Sequence, residues 1–225
     1  MSTRAVRRIG IFGGTFDPVH NGHLRAALEV AERLALDEVR LMPSSVPPHR
    51  EAPLATASER MRMLQLAAEA NPGFIADDLE LARGGTSYTI DTLRSIRAQV
   101  GDEARLCLIV GSDAFARIDT WKDWRQLVDH AHIVVAQRPG AISGLTGEAR
   151  AWAEQRLAAD PEQALADMAH GAILSVVLTQ LAISATQIRE IFAKGGSPRY
   201  LLPDAVLDYI RENRIYNYVD SHSGG

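Results

Sequence analysis

A strand-like apolar run over residues 9–12 gives way to Gly13-Gly14-Thr15-Phe16-Asp17-Pro18-Val19-His20-Asn21-Gly22-His23-Leu24. Beyond it, Leu24, Leu28, Ala31 and Leu34 recur at helical spacing. This order of strand, glycine pair, turn and helix restricts the fold more than any other stretch of the chain. Glycines after a buried strand let backbone amides approach a ligand closely, and the helix entrance that follows attracts anions. His20 and His23 stand at that entrance, where imidazole N–H groups can meet phosphate oxygens. Two surface histidines capping a helix would give the same spacing, but the flanking strand, glycines and turn favour a phosphate loop. The loop is of neither common kind, because it lacks the lysine of G-x-x-x-x-G-K-[ST] and the spacing of G-x-G-x-x-G.

The 225 residues suffice for one domain with a large core. A formal net charge of -4 argues against a general nucleic-acid binder, whose footprint is strongly basic. The single cysteine, Cys107, excludes an intramolecular disulfide and a Cys-rich zinc site, and it sits in an apolar run as a buried thiol would. No run approaches the roughly 18 apolar residues of a membrane span, and the basic N-terminus lacks the apolar segment of a signal peptide. A soluble, cytoplasmic protein is expected.

Along the chain, strands are expected over residues 38–42, 74–81, 106–110, 132–136 and 173–178, alternating with helices. Thr56-Ala57-Ser58-Glu59 is a capping box, and Thr86-Ser87-Tyr88-Thr89 opens another helix with hydroxyls at its start. The loop Pro47-Pro48-His49-Arg50 follows the second strand, where open α/β sheets bind ligands. Gly111-Ser112-Asp113 ends the most apolar strand and puts Asp113 at the carboxyl edge of the sheet. Trp121-Lys122-Asp123-Trp124 begins a helix in which one tryptophan packs inward and the other is free to stack, although two core tryptophans would read the same way. Arg138 is a phosphate fork or an exposed arginine. Residues 141–171, with Pro161 between two helices, form a helical insertion in a single domain spanning 1–219, and 220–225 are a polar tail. Finally, Ser184, Thr186 and Arg189 gather hydroxyls and a guanidinium at one helix entrance, an anion site or simply a well-capped helix. Pro203 suits the first position of the last helix.

Taken in order, Gly13 to Leu24 with its His20-Asn21-Gly22-His23, Pro47 to Arg50, Ser87 to Leu93, Gly111-Ser112-Asp113, Thr120-Trp121, Arg138-Pro139-Gly140, Ile183 to Arg189 and Leu201 to Asp204 resemble the bacterial nicotinate-nucleotide adenylyltransferases of the nucleotidyltransferase superfamily. One departure is Ala185, where the family pattern I-S-S-T has a second serine.

The resemblance implies a Rossmann-like doubly wound parallel α/β sheet and adenylyl transfer from ATP to nicotinate mononucleotide, giving deamido-NAD and pyrophosphate. It implies that His20, His23 and Arg189 act on the triphosphate and transition state. It places Gly13, Gly14, Thr15, Phe16, Gly111, Asp113, Ser184 and Thr186 about ATP. Pro48, His49, Thr89, Trp121 and Arg138 would meet nicotinate mononucleotide. Magnesium would accompany ATP with few direct protein ligands. The assembly is left open, a homodimer being one option. Two rival readings use the same fold, a pantetheine-phosphate adenylyltransferase and a nucleotide sensor without turnover.

Overall fold

The computed structural model describes residues 6–45, 52–137, 144–179 and 181–217. Six strands make one parallel sheet: β1 (Arg8–Gly14), β2 (Glu38–Pro43), β3 (Phe74–Ala76), β4 (Arg105–Gly111), β5 (His132–Gln137) and β6 (Ile173–Val177). Their spatial order is β3-β2-β1-β4-β5-β6, with every neighbouring pair parallel. The chain therefore winds outward from β1 to β3, returns to the middle at β4, and winds outward again. The two halves meet between β1 and β4, and in sheets of this order that switch point is where ligands bind.

Strand-forming runs with both faces buried should be apolar throughout, and β4 is, with residues 106–110 all buried. Its side chains divide by alternation. Cys107 and Ile109 join the core under α1 (Asn21–Arg33), α2 (Ala57–Glu69), α8 (Ala185–Ala193) and α9 (Asp204–Glu212). Leu106, Leu108 and Val110 join the opposite core under α4 (Thr89–Val100) and α6 (Gly147–Glu154). The Cys107 thiol is fully buried, and desolvation pushes its pKa up to about 12, so it is a packing residue.

The third strand is shorter than its apolar run predicts. Asp77 ends it, its carboxylate accepting from Leu79 N at 3.0 Å, and the remaining residues form α3 (Leu79–Arg83), which stops at Gly84 with φ 67°. The Trp121–Trp124 stretch does not begin an α-helix. It separates the short α5 (Ser112–Phe115) and a 3-10 turn (Ile118–Thr120) from a second 3-10 stretch (Trp124–Asp129), with Asp123 left-handed at φ 49°. Pro203 lies one residue before the last helix.

Within 141–171, α6 packs on one face of the sheet and α7 (Pro161–Asp167) on the other. Between them Leu157 bridges Ile173 in parallel, and Ala158 N donates to Ile173 O at 2.9 Å, covering the free edge of β6. The segment is thus built into the core. The tail 220–225 lies outside the described residues.

Candidate active site

β1 and β4 pair only as far as Ile11 and Leu108, although each runs three residues further. The sheet therefore splits between them at its carboxyl end. A glycine stands at each lip, and a Cβ added to Gly13 or Gly111 would meet nothing within 4 Å. Backbone is exposed on both sides of a crevice at the switch point.

The polypeptide leaving β1 builds the floor. Phe16, at φ 50°, turns its ring inward to 2% exposure, edge-on to His23 with centroids 5.0 Å apart. A Cβ on Gly14 would come within 3.1 Å of that ring, so the glycine lets Phe16 tuck closely under the loop. Thr15 lies half-buried between them. His20 starts α1, and its ring stacks on that of His23 with centroids 3.6 Å apart. His20 N donates to His23 Nδ1 at 3.3 Å, which orients the second imidazole. Gly22 makes room for the first: a Cβ there would stand 3.0 Å from His20 Nδ1. This is a physical reason for glycine between the two histidines. His20 is 5% exposed, and desolvation holds its pKa down at about 4, so the imidazole is neutral at neutral pH. Its Nδ1 is buried without a hydrogen-bond partner among the described residues, a polar atom costly to leave so.

The entrance of α8 faces this floor. Ser184 caps the helix, its Oγ accepting from Gln187 N at 3.1 Å. Arg189, one turn in, donates through Nη1 to Asp17 O at 2.7 Å and through Nη2 to Thr186 Oγ1 at 3.3 Å. A Cβ on Gly22 would also reach 3.6 Å from Ile183 Cβ, so the beginnings of α1 and α8 are neighbours. Two helix N-termini, two imidazoles and a guanidinium converge on one place, an arrangement suited to a polyphosphate.

Several supporting residues had no role assigned from sequence. The Asp17 carboxylate, 5% exposed, accepts from Leu54 N at 2.9 Å, from Ala55 N at 3.0 Å and from Tyr216 Oη at 2.7 Å. Arg60, 1% exposed, donates through Nη1 to Thr15 O at 2.8 Å and to Ser44 O at 2.9 Å. Asn21 donates through its backbone to Leu201 O at 2.9 Å and through Nδ2 to Tyr200 O at 2.8 Å. One signal was available for Arg60: with Met63, Leu64 and Ala67 it falls on the buried stripe of α2.

A second wall lies towards α4. Thr89 is its first residue, half-buried. Trp121 is half-buried against the core, and Trp124 is inside it. Lys122 joins the two parts, pairing with Asp91 at 3.0 Å and lying 4.7 Å over the Tyr88 ring. Ser45 N donates to Ser87 Oγ at 3.0 Å, tying the end of β2 to the entrance of α4. Asp113 is exposed in the first turn of α5, beyond Gly111. Pro48, His49 and Arg138 lie outside the described residues. Among the described residues, no three His, Cys, Asp or Glu side chains group as a metal site, and no helix is long and apolar enough to cross a membrane.

Residues 11–191 match the family described as cytidylyltransferase-like. The chain is 52% identical over 209 residues to a probable nicotinate-nucleotide adenylyltransferase of Methylococcus capsulatus, covering 92% of this chain and 99% of the relative. It is 49% identical over 210 residues to one of Pseudomonas aeruginosa PAO1, covering 93% and 97%. Among solved structures, Plasmodium falciparum nicotinic acid mononucleotide adenylyltransferase complexed with NaAD superimposes with a TM-score of 0.70 at 15% identity, over 95% of this chain and 98% of that one.

Proposed function

Since this chain belongs to the nicotinate-nucleotide adenylyltransferases of the cytidylyltransferase-like family, we propose that it joins the AMP moiety of ATP to nicotinate mononucleotide at the split between β1 and β4. The observation that carries the reading is the stacked His20–His23 pair beside a loop whose Asp17 carbonyl holds Arg189.

The phosphate oxygen of nicotinate mononucleotide attacks the α-phosphorus of ATP. A new P–O bond forms, the bond to the bridging α–β oxygen breaks, and the electron pair leaves with pyrophosphate. The attacking phosphate is already anionic, so no side chain has to remove a proton. What the protein supplies is alignment and neutralisation of charge. Gly13 and Gly111 bring open backbone to the crevice, and Gly14 and Thr15 continue the loop beside it. Phe16 acts from below, fixing His23. His20 meets the triphosphate as a neutral donor, and an anion beside it raises its proton affinity. Arg189, Ser184 and Thr186 bind the β- and γ-phosphates at the entrance of α8. Nicotinate mononucleotide lies towards Thr89 and Trp121, the indole stacking on the pyridine ring. Magnesium bound with ATP would neutralise polyphosphate charge, and Asp113, the exposed carboxylate in the first turn of α5, would hold it.

Pyrophosphate release with ATP and magnesium, measured with the nicotinate and nicotinamide mononucleotides side by side, tests the reading. Release with the acid form is expected, and its absence with both would refute it. His20→Ala should lower kcat by about 100-fold or more with circular dichroism unchanged, the scale seen when a transition-state donor is removed. A full-rate variant would take His20 out of the mechanism.

A further inference from the structure

Arg60 is a costly residue for its place. It lies on the stripe of α2 that otherwise inserts Met63, Leu64, Ala67 and Ala68 into the core, and it is 1% exposed. An apolar side chain of similar length would fill that space without desolvating a cation. The guanidinium is nevertheless buried, and its Nε has no hydrogen-bond partner among the described residues. Burial lowers its pKa, and the nearby Asp17 carboxylate offsets part of that.

What the guanidinium does is join two strand ends. A single nitrogen, Nη1, donates to Thr15 O just beyond β1 and to Ser44 O just beyond β2. The first carbonyl belongs to the loop that carries His20. The second belongs to the segment whose next residue, Ser45, donates its N–H to Ser87 Oγ at the entrance of α4, two residues before Thr89. Side-chain and backbone bonds thus run from the histidine loop, through Arg60, to the wall assigned to the second substrate. The ladder between the two strands ends here: Gly14–Pro43 is the last paired register, Ser44 N donates to Gly14 O at 2.9 Å, and Arg60 carries the connection one residue further, to Thr15 O.

We infer that Arg60 is a positioning residue for the transfer step: held between the Thr15 and Ser44 carbonyls, it sets the distance between the site for the ATP phosphates and the site for the mononucleotide. It touches neither substrate. The inference rests on the adenylyl-transfer reading, and turnover by the unmodified enzyme tests that reading separately.

The experiment compares Arg60→Met, which keeps length and loses the donors, with Arg60→Lys, which keeps the charge and one donor group. Each is assayed for kcat, for both KM values and for the stoichiometry of ATP binding by calorimetry. A misplacement on the order of 1 Å between bound reactants costs up to about 100-fold in rate. Arg60→Met should therefore lose about tenfold to 100-fold in kcat, while KM for ATP and the number of ATP sites stay within about twofold. Arg60→Lys should recover part of that loss. A variant that only destabilises the fold would instead lose ATP sites in proportion to rate. Full kcat in folded Arg60→Met, no recovery in folded Arg60→Lys, or a rate loss matched by lost sites overturns the inference. So does failure of both variants to fold, since Arg60 would then hold the fold and not the spacing.

Discussion

The shortest lever in the site is Gly22. Its missing side chain is the space occupied by the His20 imidazole, 3.0 Å from where a Cβ would stand, with Ile183 on the far side at 3.6 Å. Alanine there must push the imidazole, the α8 entrance, or both. Gly22 needs no unusual backbone conformation, since its φ is not among the positive ones, so helix α1 itself should tolerate alanine. Gly22→Ala is therefore expected to keep its thermal midpoint within a few degrees and to lose about tenfold or more in kcat. Thermal melts beside steady-state rates check this. An unimpaired rate would mean that the histidine ring has more freedom than its stacked geometry implies. The motif was plain from sequence, but the division of labour within it was not. Phe16 was expected among the residues about ATP, whereas its ring is buried as the support for His23. Burial of a ring inside a four-residue turn depends on φ at one position, 50° here, which composition does not encode.

At the level of elements, α1 is fastened at both ends. Its start is held by Asn21 on the Tyr200–Leu201 carbonyls. Further along, Glu29, 3% exposed, accepts from Thr179 N at 2.9 Å and pairs with Arg25 at 2.6 Å and Arg33 at 3.7 Å. The Thr179 backbone bond, with the Arg25 pair assisting against burial, holds the Glu29 carboxyl down at about 2. A depressed carboxyl stabilises the fold fully above its unfolded pKa of 4.5, and that stabilisation is lost as pH falls towards 2. Glu29→Gln should cost about 1–3 kcal/mol at pH 7, the range for a buried charged hydrogen bond, and the gap to the natural protein should narrow below pH 4.5. Urea denaturation at pH 7 and pH 3.5 measures both. Elements were legible where one physical signal dominated: the apolar run of β4, the Thr56–Glu59 capping box, and Pro161 at the start of α7. The third strand was overread because a carboxylate, Asp77, turns the chain through a bond to Leu79 N that apolar patterning does not register. Arg60 was missed for a different reason. Its acceptors are carbonyls 45 and 16 residues away, and any residue type supplies a carbonyl.

For the molecule as a whole, two buried imidazoles set the acid side of stability. His132 is fully buried, with Nε2 3.1 Å from Met168 O and Nδ1 accepting from Ala172 N at 3.3 Å, so it is neutral with the proton on Nε2. Burial holds both His132 and His20 down at about 4 from an ordinary 6.5. Between those values the unfolded chain binds protons that the native state refuses, so stability is full above pH 6.5 and falls as pH drops towards 4. His132→Gln should flatten that slope, read from unfolding free energies at half-unit pH steps, whatever its cost at pH 7. The closure of the site on itself carries a further consequence. Tyr216 reaches Asp17 across 199 positions, Tyr200 reaches Asn21 across 179, and Arg189 reaches Asp17 across 172. The histidines are thus made well before the groups that brace them. A nascent chain can form β1, α1 and β2 early, but its histidine loop has no finished support until residue 216 is free of the exit tunnel. Activation of this enzyme therefore waits on residues made long after the histidines, and a chain broken off before residue 216 carries the whole histidine signature without the means to use it.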